Sequence, residues 1–290
     1  MSHPRGRVHA YTIVDVFTDT PLQGNPAAVF SDGEGIGADV MQRTARELNL
    51  SETVFVLDAA GEPDVDARVR IFTPTAELPF AGHPVLGTAF VLATTRNLAI
   101  VRLRTGAGVV PVVLSRDGDD VVYGEMEQPI PTWSPLPAPD ELLAALGVGG
   151  SGLPIEVYDN GPRHTYVELP GADAVAALRP DMRALAALGP VGVSCFAVLE
   201  GASLAKTRMF GPGLGVPEDP ATGSAAGPLA VHLARHGRID FGQTIEIQQG
   251  AEIGRPSVLS AAAEGSSRSV TRVVVGGGAV IVARGEFRLG

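Results

Sequence analysis

A single cysteine, Cys195, serves the whole 290-residue chain. One thiol cannot close an internal disulfide, and paired-cysteine zinc patterns are impossible with it. The six histidines are scattered and no HExxH signature occurs, so no metal is expected. No GxxxxGK[ST] run is present, and no GxGxxG follows a strand and opens a helix; the common nucleotide cradles are therefore excluded. Positive charge is sparse, with 22 Lys and Arg against 32 Asp and Glu and a formal charge of −10. A chain without long basic runs is a poor match for nucleic-acid phosphates. No apolar run approaches the ~18 residues that would span a bilayer. The polar start, residues 1–7, lacks the apolar centre of a secretory signal. Neither a nucleic-acid nor a membrane partner is expected, and the cytoplasm is the simplest location.

What remains is an ordinary globular balance, 45% hydrophobic and 19% charged, in a length that fits two domains. Residues 8–18, 27–30, 54–57 and 67–72 read as strands, and residues 39–49 carry a helical stripe. Leu86, Ala89, Phe90 and Ala93 recur at i, i+3, i+4 and i+7, one face of a helix over 82–95. Two or three strands follow up to residue 126. Residues 128–139 then hold five prolines in twelve positions, which reads as an interdomain linker. The expected division is an N-terminal lobe (1–127), a Pro-rich linker (128–140) and a C-terminal lobe (141–290). Whether the last strands stay in the second lobe or return to the first is open. Gly276-Gly-Gly278 reads as the turn of a C-terminal hairpin.

The two halves repeat one another. Arg70, Phe72 and Pro74 match Arg208, Phe210 and Pro212 at a constant separation of 138, and Gly82-His83 match Gly223-Ser224 at 141. Each half runs strand, proline-bearing loop, glycine with a polar residue, then helix. A duplicated unit dictates two similar lobes, with the two glycine-headed helix starts facing across a cleft, where ligand pockets preferentially lie. A helix start offers unpaired N–H groups and the positive end of a dipole, so a small carboxylate is the expected ligand. Pro228, five residues beyond Gly223, should disturb the first turns of its helix.

Four side chains are candidates for chemistry. Glu52 heads a strand bound for the core. It is either a surface acid or a partly buried carboxylate with a raised pKa, suited to moving protons. Its equivalent in the second half falls near Val193-Ser194, where no acid stands, so one base is expected rather than two. His83 follows the first repeat glycine; it is either structural or part of the site. Asp219 and Ser224 are either a loop acid and a first-turn residue or the facing half of the site. Cys195, in a strand pattern, reads as a small buried hydrophobe, which counts against a two-thiol racemase.

The motifs Gly24-Asn25-Pro26, Asn49-Leu-Ser-Glu-Thr53, Glu77-Leu-Pro-Phe-Ala-Gly-His-Pro84 and Glu218-Asp219 through Ala230 resemble the PhzF family, with its diaminopimelate epimerase-like fold, over nearly the whole chain. Gln128 to Trp133, Asn160-Gly-Pro-Arg-His164, Leu233 to Gly237 and Gln249 to Ser257 resemble the phenazine-pathway members in particular. The resemblance implies an α+β fold of two lobes, each a strongly curved, mostly antiparallel sheet around a central helix. It implies a homodimeric, cofactor-free isomerase of trans-2,3-dihydro-3-hydroxyanthranilate, a small anionic cyclohexadiene carboxylate. Glu52 would be the proton shuttle and His83, Asp219 and Ser224 the other polar catalytic residues. Gly82 and Gly223 would bind substrate through their backbone. Glu218 becomes a loop residue. Pro220 departs from the Asp-Ala-Ala-Thr-Gly-Ser version of the phenazine-pathway members and leaves the acid in place. The alternatives are a related isomerase or epimerase of another small acid, and a non-catalytic binding protein on the same fold.

Overall fold

The computed structural model describes residues 6–199, 201 and 203–289; the first five residues of the polar start lie outside them. In chain order come β1 (Arg7–Val16), β2 (Asn25–Phe30), α1 (Ala38–Leu48), β3 (Glu52–Leu57), β4 (Ala67–Phe72), β5 (Glu77–Leu78), α2 (Gly82–Arg96), β6 (Ile100–Thr105), β7 (Gly108–Asp117) and β8 (Asp120–Glu127). These are followed by β9 (Thr132–Pro135), α3 (Pro139–Leu146), β10 (Glu156–Asp159), β11 (Arg163–Glu168), α4 (Ala172–Ala176), α5 (Met182–Ala187), β12 (Gly192–Val198), β13 (Leu204–Gly211), β14 (Val216–Asp219) and α6 (Gly223–Arg235). The chain closes with β15 (Thr244–Gln249), β16 (Ser257–Ser266), β17 (Ser269–Gly277) and β18 (Ala279–Leu289).

The described residues form two compact units, one up to Met126 together with the segment from Gly278 onward, the other Glu127–Gly277. In the first unit the ladder runs β18-β1-β2-β3-β4-β6-β7-β8, parallel at β2–β3 and β4–β6 and antiparallel elsewhere. In the second it runs β9-β10-β11-β12-β13-β15-β16-β17, parallel at β11–β12 and β13–β15 and antiparallel elsewhere. The two ladders carry the same succession of joints, which is the sequence repeat expressed as topology. Parallel neighbours need a long crossover. α1 and α2 supply these in the first unit, and α4–α5 and α6 in the second.

α2 is buried at every position from Gly82 to Ala93, and α6 at every position from Gly223 to Ala234. A helix buried all round must be enclosed rather than laid on a surface. Strands β1, β2, β3, β6, β7 and β18 pack against α2, and β11, β15, β16 and β17 against α6. Each sheet therefore curves around its own helix, giving an α+β architecture. The approach is close: a Cβ on Gly87 would stand 2.8 Å from the Val14 and Val16 side chains of β1. The outer face of each sheet has its own cover. In the first unit the amphipathic α1 sits over Phe30, Phe55 and Phe72. In the second, α3, α4 and α5 contribute Leu142, Val175 and Leu185 to a cluster with Val193, Cys195 and Phe210.

Three sequence expectations change. Residues 128–140 are no linker: they carry β9, paired with β10, and open α3 with Pro139 in its first turn. A short edge strand and a helix N-terminus both tolerate proline, so proline density alone does not mark a linker. Gly276-Gly-Gly278 is no hairpin turn; β17 pairs with β16 while β18 pairs with β1. The glycines carry the chain from the second unit into the first, where Phe17 N–H donates to the Gly278 carbonyl. Pro228 leaves α6 continuous, for a reason that belongs to the site.

Candidate active site

In the first unit, β3 begins at Glu52. Side chains alternate between the faces of a strand, and Phe55 packs under α1, so Glu52 and Val54 face α2. The second helical residue of α2 is His83. Its Nε2 stands 3.1 Å from Oε2 of Glu52, with the two side chains only 4% and 12% exposed. Burial pulls the His83 pKa from 6.5 down to about 3, against the opposing effect of a hydrogen bond to the Pro26 backbone. The imidazole is therefore neutral near pH 7. Pro26 comes from the Gly24-Asn25-Pro26 stretch, so three of the motif segments meet here. Gly82 opens α2 beside His83.

In the second unit, Asp219 ends β14 and is buried, as are Thr222 and Ser224. Thr222 Oγ donates to Asp219 Oδ2 at 2.6 Å and accepts from Gln249 Nε2 at 3.0 Å. Gln249 Nε2 also reaches the Asp219 carbonyl at 2.7 Å. Asp219 and Ser224 are thus tied to one helix start through Thr222, its N-cap residue. Pro228 has no N–H, and its ring crowds the carbonyl four residues back, that of Ser224. That carbonyl accepts instead from Asn160 Nδ2 at 3.0 Å. Its neighbours are satisfied in the same way, Gly223 by Gln128 Nε2 at 2.9 Å and Ala225 by the Tyr166 hydroxyl at 2.7 Å. Side chains replace the hydrogen bonding that proline removes, and the helix runs on. The four predicted polar residues therefore fall into two sets, Glu52 with His83 and Asp219 with Ser224, one set in each unit.

Residues 14–285 match the family model for phenazine biosynthesis-like proteins. The chain belongs to this family. It is 53% identical over 283 residues to the trans-2,3-dihydro-3-hydroxyanthranilate isomerase of Pseudomonas aeruginosa, covering 97% of this chain and 100% of that protein. Among solved structures it resembles a predicted epimerase from the same organism, with a TM-score of 0.81 at 32% identity over 96% of this chain and 99% of the other. A PhzF-family phenazine biosynthesis protein of Bacillus anthracis shares the fold, with a TM-score of 0.83 at 24% identity over 97% of this chain and 99% of the other.

Within the family framework the stretches that resemble the pathway members acquire a physical role. Gln128, Asn160 and Gln249 are among the donors that hold the start of α6. The Leu233–Gly237 stretch enters another cluster. Glu156 Oε2 accepts from Tyr158 Oη at 2.9 Å and Arg235 Nη1 at 2.7 Å, and lies 3.0 Å from His236 Nε2 and 3.4 Å from His232 Nδ1. Burial alone would raise the Glu156 pKa, but hydrogen bonds from His232, Arg235, His236 and Tyr158 outweigh it and hold the carboxyl well below its usual range. Glu156, His232 and His236 have the ligand spacing of a metal site, yet the Arg235 guanidinium, stacked 4.2 Å over Trp133, already neutralises the carboxylate.

Glu218 is not a loop residue. It sits in β14 and holds Arg208 through two hydrogen bonds of 2.8 Å. Glu77 holds Arg70 in the same way at 2.7 and 2.6 Å. Each arginine also lies over the Phe two residues on, 5.1 Å from Phe72 and 4.9 Å from Phe210. Glu77 and Glu218 stand 141 apart, as Gly82 and Gly223 do, so the repeat includes a structural acid. Cys195 is fully buried, with burial pushing its thiol up to about 12. Its neighbour Phe196 contacts His232 of α6, so alternation turns Cys195 to the opposite face, away from the helix start.

Proposed function

We propose that this protein is an isomerase that converts trans-2,3-dihydro-3-hydroxyanthranilate to its amino-ketone tautomer in phenazine biosynthesis. The observation that carries the chemistry is the Glu52–His83 pair at the start of α2. An amino-ketone forms only if carbon 3, which bears the hydroxyl, loses its hydrogen. Carbon 3 and carbon 1, which bears the carboxylate, are the two ends of one conjugated five-carbon system once that proton is gone. Returning a proton at carbon 1 leaves the hydroxyl on a double bond, and this enol relaxes to the ketone. One carboxylate over one ring face can take the proton and give it back, acting as base and then as acid. Bonds and electrons balance within the substrate, so the reaction calls for no redox partner.

Glu52 is the proposed shuttle. Its neighbour His83 is neutral near pH 7, so no fixed positive charge locks the carboxylate in a salt bridge. His83, Asp219 and Ser224 are the proposed polar groups that hold the amine, hydroxyl and carboxylate in register for transfer. Gly82 and Gly223 are proposed to offer first-turn N–H groups to the substrate anion. The family resemblance supports the further proposals that the enzyme is a cofactor-free homodimer and works in the cytoplasm. The test is direct: purified protein with trans-2,3-dihydro-3-hydroxyanthranilate should consume it, with loss of the substrate's absorbance and an unchanged mass for the first product. Failure to turn over this compound, with turnover of another small unsaturated or chiral acid, would favour a different substrate for the same site.

A further inference from the structure

The two units differ at one informative place. β3 and β12 correspond, because Thr53 pairs with Phe72 and Val193 with Phe210. Glu52 therefore corresponds to Gly192, not to Val193-Ser194. Across the parallel joint, Glu52 pairs with Ala27, while Gly192 pairs with His164 of β11. The large polar side chain and the small residue have exchanged strands. In the first unit the acid from β3 reaches the helix-start residue His83 at 3.1 Å. In the second, His164 Nε2 reaches the helix-start residue Ser224 at 3.1 Å from its Oγ.

The exchange is enforced sterically. A Cβ on residue 192 would stand 2.6 Å from His164 Nδ1, so the ring needs glycine beneath it. His164 is 2% exposed, and its Nδ1 has no hydrogen-bond partner among the described residues. A buried N–H without an acceptor is rarer than an acceptor left short, so the ring's proton belongs on Nε2. Nε2–H then donates to Ser224 Oγ, and the serine's own O–H is left to donate elsewhere. Asn160, four residues before His164, fixes the Ser224 carbonyl at the same time. The β10–β11 turn and the start of β11 therefore control both the backbone and the hydroxyl of Ser224.

We propose that His164 is a positioning residue that acts through Ser224, turning its hydroxyl into a hydrogen-bond donor to the substrate anion. This rests on the reading of Ser224 as a substrate contact. The test is a double-mutant cycle on steady-state kinetics with the dihydro-hydroxyanthranilate substrate. Ser224→Ala and His164→Phe should each raise KM roughly tenfold, the scale of one lost hydrogen bond to a charged group. Changes in kcat should be smaller. The double variant should be no worse than either single one. His164→Gln, whose amide can donate from near the Nε2 position, should recover most of the loss, with the unfolding midpoint of each variant recorded alongside. Additive losses, or a folded His164→Gln with KM as high as His164→Phe, would overturn the proposal. An unchanged KM in Ser224→Ala would instead remove Ser224 from the substrate contacts, and the proposal with it.

Discussion

Glu218 and Asp219 are adjacent acids with separate tasks. Glu218 neutralises a buried arginine, whereas Asp219 receives the Thr222 hydroxyl at the start of α6. Removing one member of a buried ion pair strands the other charge, at a cost of about 3–5 kcal/mol. Glu218→Gln should therefore lower unfolding stability by about that amount, measured by denaturant titration. Turnover per folded molecule should stay within a few-fold of wild type. Cys195 makes a complementary prediction. Its buried, protonated thiol should resist iodoacetamide in the native protein and react only on unfolding, with activity intact after treatment. Glu52, His83, Asp219 and Ser224 are legible in the sequence as candidates, because each sits in a motif or beside a repeat glycine. The contact of His164 with Ser224 is not, because it depends on strand register and on the missing side chain of Gly192.

At the scale of elements, α6 carries the clearest trade. A proline inside a helix removes one hydrogen bond and crowds a carbonyl. Here Gln128, Asn160 and Tyr166 supply the donors. If Asn160 offsets the missing N–H of Pro228, Asn160→Ala should cost about 1–3 kcal/mol in the wild-type background. The cost should shrink in Pro228→Ala, where a backbone N–H again faces the Ser224 carbonyl; urea unfolding of the four proteins checks this. Equal costs in both backgrounds would refute the compensation. The helix and the proline are both readable from residues 223–235, but the compensating donors come from segments distant in sequence, so the expected disturbance does not follow. The structure of residues 128–140 is hidden in the sequence for a related reason. Proline excludes central strands and helix interiors, yet it fits an edge strand and a helix start, and composition alone does not separate these from a linker.

For the whole molecule, buried neutral histidines tie stability to pH. The His83 pKa is about 3 and the His164 pKa about 4, both lowered mainly by burial from 6.5. Between those values and 6.5 the unfolded chain binds more protons than the folded one. Stability from this source is therefore complete above pH 6.5 and declines as pH falls toward the folded values. Glu156 acts in the same direction below its unfolded value of 4.5. The expected loss between pH 7 and pH 5 is a few kcal/mol, read from unfolding midpoints, and His164→Gln should flatten the slope. A profile flat from pH 7 to pH 5 would contradict it. The duplicated architecture was legible from the spacing of Arg70, Phe72 and Gly82 against Arg208, Phe210 and Gly223. The return of the last strand to the first unit was not, because β18 pairs with β1 across nearly the full length of the chain.

Glu52 is the proposed group that moves the proton. Glu52→Gln keeps the size of the side chain and removes the base, so the decisive measurement is turnover of trans-2,3-dihydro-3-hydroxyanthranilate by this variant beside wild type. Turnover should fall about 10²–10⁴-fold while substrate binding changes little. Turnover within a few-fold of wild type would contradict the assignment.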